Sequence, residues 1–200
     1  LRYEGTTVAP IKSLDKEGRV AYLGSFSKVL APGLRVGWLA ADQTLLRKTV
    51  LAKQADDLCT NTFGQYCVFE AMRHDVLFTH IEQIKQLYRR KRDLMIRALE
   101  EHFPKGVRWT RPEGGMFLWL ELPTSIDALE LLPKAINHDV AYVTGKAFFP
   151  DGSGHNTMRL NFSYADDDRI VEGIRRLGKV ISTELEDQRA GARADHIGIF

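Results

Sequence analysis

Two spacings of apolar residues alternate along the chain. Short apolar runs predict buried strands, and longer stretches with apolar residues at every third or fourth position predict helices. The predicted strands are residues 20–23, 36–39, 107–110, 116–122, 140–143 and 158–162. The predicted helices are residues 42–57, 63–73, 76–102, 126–136 and 166–185. Because strands and helices alternate, the pattern indicates an α/β fold.

The longest predicted helix, residues 76–102, carries its charges on the side opposite to its apolar residues. Pro104 and Gly106 mark its end. A helix of this length usually connects two lobes, so a domain boundary is expected within it, between residues 90 and 91. The basic run from Tyr88 to Arg92 is expected to be the solvated face of this helix.

The last residues, 186–200, follow the final predicted helix and show no sustained period. Segments of this kind at a chain end are poorly ordered unless something holds them. We therefore expect a tail that is loose or packed on a partner.

A polar loop connects the first two predicted strands and carries Ser25, Ser27, Lys28 and Arg35. Buried strands fix the ends of such a loop, which lets it direct small polar groups at one point. Two hydroxyls and a guanidinium are suited to a phosphate dianion, because each offers hydrogen-bond donors. A neutral lysine amine beside that phosphate attacks an aldehyde, which points to pyridoxal phosphate. The alternative, from the residues alone, is a solvated lysine in a loop whose serines form turns.

The sequence from Gly24 to Trp38, GSFSKVLAPGLRVGW, resembles the lysine motif of the class I and II aminotransferases, which are pyridoxal-phosphate enzymes of fold type I. It is most similar to the branch that contains the 2-aminoadipate aminotransferases. Further matches follow in the same order at Gln65, at residues 111–117 (RPEGGMF) and at residues 156–161 (NTMRLN). The resemblance therefore covers about residues 1–185.

The resemblance implies a partial fold type I structure. Residues 1–90 are expected to be the C-terminal part of the large pyridoxal-phosphate domain, a mixed sheet with helices. Residues 91–185 are expected to be the small C-terminal α/β domain, followed by the tail of residues 186–200. Nothing in the first residues opens a domain, so the chain is expected to be the C-terminal half of a longer enzyme. The Asp and the Tyr that contact the cofactor ring in this family would then precede Leu1.

The resemblance also assigns cofactor-binding residues. Lys28 is expected to bond the aldehyde carbon of the cofactor and to serve as the catalytic residue that moves a proton. Ser25 and Arg35 are expected to bind the cofactor phosphate, and Ser27 is a further candidate for the same role. Each of these side chains lies within the lysine motif.

The assigned substrate-binding residues lie further along the chain. Arg159 is expected to bind the substrate carboxylate through its planar fork, the alternative being a surface arginine on an edge strand. Gly115 is expected to let the backbone approach the substrate closely, the alternative being a hairpin turn formed with Gly114. Thr60 and Asn61 are placed by the resemblance in the loop that reaches the cofactor of a neighbouring subunit, the alternative being a helix cap.

The composition argues against several classes of function. The chain has 28 basic and 26 acidic residues and no basic stripe with interleaved aromatics, so nucleic-acid binding is not expected. Its two cysteines cannot form a disulfide framework, and its six histidines lack the spacing of metal ligands. No apolar run is long enough to cross a bilayer, and no targeting pattern is present. A cytoplasmic protein without a metal site or membrane contact is expected.

Together these features predict a pyridoxal-phosphate-dependent aminotransferase that acts on an amino acid and a 2-oxo acid. The full-length form is expected to be a homodimer, and the 200-residue chain is expected to be inactive alone. One alternative is the aminotransferase-like effector domain of a MocR-type transcriptional regulator, which the sequence before Leu1 would distinguish. Another is a different fold type I reaction such as a β-lyase, which would share Lys28 and Arg159.

Overall fold

The structure is a computed structural model that describes residues 1–197. It forms two compact units, the first from Leu1 to Gln86 and the second beginning at Leu87. The division falls within the long helix, a few residues before the boundary expected between residues 90 and 91. The predicted combination of helices and strands is confirmed.

The first unit consists of a strand hairpin and helices. Its regular elements are β1 (Tyr22–Ser25), β2 (Gly37–Ala40), α1 (Gln43–Asp56), α2 (Thr62–Arg73) and the start of α3 (Val76–His102). Single 3-10 turns occupy Ile11–Leu14 and Pro32–Leu34. The helices begin and end close to the residues predicted from their apolar periods, and Asp42 caps α1 by accepting a hydrogen bond from the backbone N–H of Thr44 at 2.8 Å.

The expectation that the first two strands are buried is wrong. β1 and β2 pair antiparallel with each other, from Tyr22 opposite Ala40 to Ser25 opposite Gly37. Leu23 is nevertheless 74% exposed. In the described part of the chain no further strand pairs with this hairpin. Its apolar side chains therefore stay largely accessible, although the sequence pattern is that of buried strands.

The second unit is built on a sheet of four antiparallel strands in the order β3-β4-β6-β5. These strands are β3 (Arg108–Trp109), β4 (Phe117–Glu121), β5 (Val143–Thr144) and β6 (Thr157–Asn161). Two helices, α4 (Ala128–Ile136) and α5 (Asp167–Ile197), and a 3-10 turn (Gly145–Phe148) complete the unit. Although strands and helices alternate along the chain, every strand pair of this sheet is antiparallel among the described residues.

The second unit contains the principal hydrophobic core. The apolar residues of β4 and β6 are buried at alternate positions, as the twofold period of a strand requires, and Thr157 at the start of β6 is buried as well. Leu118 is directly opposite Leu160, and Leu120 is directly opposite Met158. Buried residues of the helices complete this core: Met95, Ile96, Leu99, Leu131, Ile170, Ile174, Leu177 and Ile181.

The basic run of α3 is not wholly a solvated face, contrary to expectation. Lys91 and Arg92 are both buried. The ammonium of Lys91 donates to the backbone oxygens of Ser163 at 3.3 Å and Ala165 at 2.5 Å. Arg92 donates to the backbone oxygen of Pro112 at 2.7 Å. Arg92 also donates from Nε and Nη2 to the carboxylate of Asp93, at 2.9 Å and 2.6 Å. Burial of these cations is tolerated because backbone carbonyls and, for Arg92, this carboxylate accept from their donors.

The last helix is longer than predicted. It was expected to end at about residue 185, but α5 continues to Ile197, so residues 186–197 of the expected tail are helical. Polar contacts contribute here, since the side-chain amide of Gln188 donates to the backbone oxygen of Ser125 at 3.0 Å. Residues 198–200 lie outside the described residues. Neither α3, α5 nor any other helix of the described residues combines the length and apolar composition needed to span a membrane.

Gly145 generates a test of the packing in the second unit. A methyl group on Gly145 would lie 2.8 Å from Cβ of Thr157 and 2.9 Å from the indole of Trp119. Gly145→Ala is therefore expected to lower the free energy of unfolding by about 1–3 kcal/mol, as overpacking does. Urea denaturation followed by tryptophan fluorescence measures this change.

The matched control is Gly173→Ala in α5, where a methyl group would meet no atom within 4 Å. This substitution is expected to raise the free energy of unfolding by about 0.5–1 kcal/mol, because alanine is the better helix former. An unchanged stability for Gly145→Ala would contradict the close packing of Gly145.

Candidate active site

The segment from Gly24 to Trp38, called here the lysine loop, is closed by backbone hydrogen bonds. The N–H of Phe26 donates to the oxygen of Val36 at 3.1 Å, directly after the strand ladder ends. The N–H of Leu30 donates to the oxygen of Phe26 at 2.8 Å, which forms one helical turn. Lys28 lies on this turn, so the backbone fixes where its side chain begins.

A glycine at the base of the loop makes room for a ring on the opposite strand. Gly24 is paired with Trp38, and a methyl group on Gly24 would overlap the indole. The indole packs edge-on against the ring of Tyr22, with centroids 5.0 Å apart. Trp38 and Tyr22 therefore stabilise the hairpin from which the lysine loop extends.

The serines of the lysine loop form a turn and keep donor capacity. The hydroxyl oxygen of Ser25 accepts a hydrogen bond from the backbone N–H of Ser27 at 3.1 Å. This is the turn that the sequence left open as an alternative. Because the hydroxyl of Ser25 acts there as an acceptor, its hydrogen can still be donated to a ligand. Lys28 is exposed and, among the described residues, its amine forms no hydrogen bond or ion pair.

Arg35 is held in a backbone conformation that is unfavourable for a side-chain-bearing residue. Its φ of 54° and ψ of 35° lie in the left-handed region, directly after the 3-10 turn. Its guanidinium makes one long contact, a donation to the backbone oxygen of Pro32 at 3.4 Å. Glycine would adopt this conformation without strain, so the use of arginine points to a role for the side chain.

The donor set of the lysine loop fits a phosphate ester that carries an aldehyde. It combines the hydroxyls of Ser25 and Ser27, the guanidinium of Arg35 and the amine of Lys28. The loop contains no acidic residue that would compete for these groups. A doubly charged phosphate is stabilised by such donors, and a lysine amine is the group that bonds an aldehyde.

The start of α2 packs against the far end of the lysine loop. A methyl group on Gly64 would lie 3.0 Å from the backbone oxygen of Leu34 and 3.4 Å from Cγ2 of Val36. Glycine at this position therefore lets the helix approach the loop backbone. Arg35 lies between these two residues in the sequence.

Asn61 and Thr60 act as local structure before α2. The side-chain oxygen of Asn61 accepts from the backbone N–H of Gly64 at 3.3 Å and caps the helix. The hydroxyl of Thr60 donates to Asp57 at 3.0 Å. The helix-cap alternative from the sequence is therefore present for Asn61.

Arg159 lies at the centre of β6 in the second unit. It is opposite Trp119 of β4 on one side and Val143 of β5 on the other, so it is on an inner strand and not on an edge strand. Its Nε is buried and has no hydrogen-bond partner. Its Cζ lies 4.1 Å from the ring centroid of Phe117 and 4.8 Å from that of Phe148. A half-buried cation surrounded in this way has donors available for an anion.

The two asparagines that flank Arg159 in the NTMRLN motif have structural partners. The side-chain amide of Asn156 donates to the backbone oxygen of Leu122 at 2.6 Å, which joins the start of β6 to the end of β4. The side-chain oxygen of Asn161 accepts from the backbone N–H of Ser163 at 2.7 Å and ends the strand in a turn. The motif therefore fixes both ends of the strand that presents Arg159.

Gly115 lies in the turn between β3 and β4. Its φ of 83° is in the region that favours glycine, which agrees with the hairpin-turn alternative. A methyl group there would meet no atom within 4 Å, so space at Gly115 is not taken by the chain itself. The buried Arg92 holds the turn in place through Pro112. Gly115 can therefore form the turn and still leave room for a ligand beside its backbone.

The candidate residues fall into two sets. Ser25, Ser27, Lys28 and Arg35 lie together on one loop of the first unit, and Arg159 and Gly115 lie in the second. Sequence reasoning missed the rings of Phe117 and Phe148 beside Arg159. The twofold period of β4 could have placed Phe117 on the exposed face, but no local signal links Phe148 to Arg159.

Tyr142 is part of the core of the second unit. Its hydroxyl donates to the backbone oxygen of Ala128 at 2.7 Å. Burial raises the pKa of this phenol, so the group stays protonated and donates. The hydrogen bond links the segment before β5 to the start of α4.

Residues 3–177 match the family model described as aminotransferase class I and II. The chain is 52% identical over 186 residues to aromatic-amino-acid aminotransferase 1 of Thermococcus litoralis, which covers 93% of this chain and 45% of that protein. The chain therefore spans about half the length of the curated relatives it matches.

A solved structure shows the same fold. The alpha-aminoadipate aminotransferase of Thermus thermophilus, complexed with N-(5'-phosphopyridoxyl)-L-leucine, matches with a TM-score of 0.88 and 41% identity. The match covers 93% of this chain and 48% of that one. The partial fold type I structure and the likeness to the 2-aminoadipate branch, both expected from the lysine motif, are confirmed.

A more distant relative is an HTH-type transcriptional regulator of Bacillus subtilis, which is 31% identical over 172 residues. This match covers 86% of the present chain and 35% of the regulator. The family model, in contrast, accounts for most of the chain and includes both the lysine loop and Arg159. The chain thus belongs to the aminotransferase class I and II family.

Proposed function

We propose that this chain supplies the catalytic lysine and the phosphate- and carboxylate-binding residues of a pyridoxal-phosphate-dependent aminotransferase. Such an enzyme transfers an amino group between an amino acid and a 2-oxo acid. The observation that carries the proposal is the lysine loop, a backbone-closed loop with two hydroxyls, an amine and a guanidinium and no acidic residue. Family membership and the phosphopyridoxyl compound bound by the Thermus relative support the cofactor.

Ser25, Ser27 and Arg35 are proposed to bind the cofactor phosphate. The Ser25 hydroxyl has a hydrogen to donate, because its oxygen accepts from the Ser27 N–H. Arg35 offers several N–H donors and, in the described structure, uses only one long contact to Pro32. The left-handed backbone of Arg35 is a local cost that a bound phosphate would offset.

Lys28 is proposed to hold the cofactor and to move the proton. Pyridoxal phosphate, when bound, supplies the electron sink that stabilises negative charge at the substrate carbon. The Nζ atom of Lys28 is the nucleophile for the cofactor aldehyde. Displaced from that bond by the substrate amine, the same Nζ atom would be free to accept and return a proton. The backbone turn that carries Lys28 belongs to the same loop as the proposed phosphate-binding groups, which supports this pairing of roles.

Arg159 is proposed to bind the substrate carboxylate. A guanidinium forms two parallel hydrogen bonds with a carboxylate, which fixes the orientation of the substrate. The buried Nε without a partner supports this role, because a buried donor is normally satisfied by the protein. Gly115, at the turn beside β4, is proposed to let the backbone approach the same substrate.

The complete enzyme is proposed to be a cytoplasmic homodimer of amino-acid metabolism. Support for a further protein surface comes from α2, where Phe63, Tyr66 and Phe69 are all exposed. Aromatic side chains at this spacing share one side of a helix and favour contact with another polypeptide. The helix begins directly after Thr60 and Asn61, which the resemblance places near the neighbouring subunit.

A second function is favoured by the similarity to an HTH-type regulator. The chain would then be the effector domain of a MocR-type regulator, with the same lysine loop holding the cofactor. Turnover distinguishes the two functions, since an aminotransferase produces a new amino acid and 2-oxo acid. Effector binding alone would favour the regulator.

Lys28 can be tested without measuring activity. After incubation with pyridoxal phosphate and reduction with borohydride, intact mass and peptide mapping are expected to show one covalent adduct, on Lys28. Lys28→Ala should remove this adduct, because no other amine lies within the lysine loop. Lys48→Ala, an exposed lysine of the same unit, is the matched control and should keep it. Adducts spread over many lysines would contradict the proposal.

Arg159→Lys tests the carboxylate role in the enzyme that contains this chain. Lysine keeps the charge but loses the paired geometry, so the KM values of the amino donor and of the 2-oxo acid should both rise, by about 10- to 100-fold for a lost charged hydrogen bond. Steady-state kinetics measures both values. Arg108→Lys, at a surface pair with Glu121, is the control. Equal KM values in wild type and Arg159→Lys would rule out this role.

A further inference from the structure

The guanidinium of Arg159 is held by aromatic rings and not by acceptors. Its Cζ lies 4.1 Å and 4.8 Å from the ring centroids of Phe117 and Phe148, within the range of about 6 Å for a cation–π interaction. Its Nε is buried without a hydrogen-bond partner, and no described residue forms an ion pair with the side chain. The attraction that usually comes from a carboxylate therefore comes here from two rings.

This way of holding a cation has a chemical consequence. A carboxylate partner would neutralise the guanidinium and occupy its N–H donors. The face of a phenylalanine ring attracts the positive charge but offers no lone pair, so the donors remain available for a ligand. An arginine held by rings can thus be ordered before the ligand arrives and still bind it through paired hydrogen bonds.

The rings are themselves positioned by the strands around Arg159. Phe117 and Trp119 are two residues apart on β4 and share one face of the sheet, and Trp119 is directly opposite Arg159. The indole of Trp119 packs edge-on against the ring of Phe148, with centroids 5.6 Å apart. Gly145 permits this arrangement, since a methyl group there would meet the same indole. Phe148 therefore reaches Arg159 through a supported contact.

Exposure argues that the rings do more than fill space. Phe117 is 36% exposed and Phe148 is 50% exposed, although both lie against a half-buried cation. Rings that only completed the core would be covered, as Leu118 and Leu120 are on the other face of β4. Open ring surface next to open N–H donors is the arrangement expected of a binding site.

We propose that Phe117 and Phe148 form an aromatic clamp that positions the Arg159 guanidinium for the substrate carboxylate. The two rings are positioning residues and do not themselves bind the carboxylate. This inference rests on the proposed function, in which Arg159 is the carboxylate-binding residue. It adds that the geometry of Arg159 depends on ring faces and not on an ion pair.

The experiment is nuclear magnetic resonance of the ¹⁵N-labelled 200-residue chain, with pyruvate as the carboxylate probe. The Nε–Hε signal of Arg159 is assigned by its disappearance in Arg159→Lys. Without pyruvate, ring currents should displace this signal from those of exposed arginines. Phe148→Leu keeps an apolar side chain but removes one of the two ring faces, so the Arg159 signal should move part of the way towards the position of an exposed arginine, while Phe117 still contributes its ring current.

Titration with pyruvate measures the effect on binding. Phe148→Leu should weaken the apparent affinity at Arg159 by about three- to tenfold, the range of a cation–π contact. Phe148→Tyr keeps the ring face and should retain both the signal position and the affinity. Phe103→Leu removes a ring that packs on Trp109 at 6.2 Å in the same unit, and it should change neither.

The two measurements separate the inference from the proposed function. If Phe148→Leu leaves the ligand-free signal of Arg159 and its affinity for pyruvate unchanged, the clamp is overturned. The same holds if Phe148→Tyr is as impaired as Phe148→Leu, because a general packing defect would then explain both. If the wild-type signal does not respond to pyruvate, the carboxylate role of Arg159 fails, and the clamp as proposed fails with it.

Discussion

The antiparallel pairing of β4 with β6 is the constraint on which the second unit depends. Its register runs from Phe117 opposite Asn161 to Glu121 opposite Thr157. Because side chains of a strand alternate between faces, this single register decides both faces at once. One face buries Leu118 and Leu120 in the core, and the other presents Trp119 beside Arg159. A slip of one residue would exchange the two faces and lose the core together with the arginine site.

The ends of this strand pair are fixed by polar groups, which explains why the register is specific. Asn156 is buried and bonds to the backbone of Leu122, and Asn161 turns the chain after the strand. An amide buried without its partner would cost about 1–3 kcal/mol, so alternative registers are disfavoured. The centre of β6 can therefore carry the cation Arg159, because the register of β4 and β6 is fixed by the residues at the strand ends.

The apolar periods predicted the helices and the location of most strands, and the residue types of the lysine loop led to the expectation of a phosphate site. They did not predict the burial of Lys91 and Arg92, because a helical charge pattern does not reveal which backbone carbonyls will face it. The extension of α5 was missed for a similar reason, since Gln188 is held by a polar contact to Ser125 and not by an apolar stripe. The strands of the first unit have the sequence of buried strands, yet burial depends on neighbours that a local pattern does not contain. Phe148 is likewise brought to Arg159 by tertiary packing.

Lys28 in the first unit and Arg159 in the second are both cations without an ion-pair partner among the described residues, but they are not equally strong evidence for a binding site. Exposed lysines are commonly solvated, so the free amine of Lys28 is informative only together with the hydroxyls and the strained Arg35 on the same loop. Arg159 is the stronger case, because a buried donor without a partner is rare in a folded protein. Surface arginines of the same unit form ion pairs, as Arg108 does with Glu121. The fold therefore keeps Arg159 away from carboxylates and stabilises it by ring faces, which is the arrangement that leaves a guanidinium ready for an incoming anion.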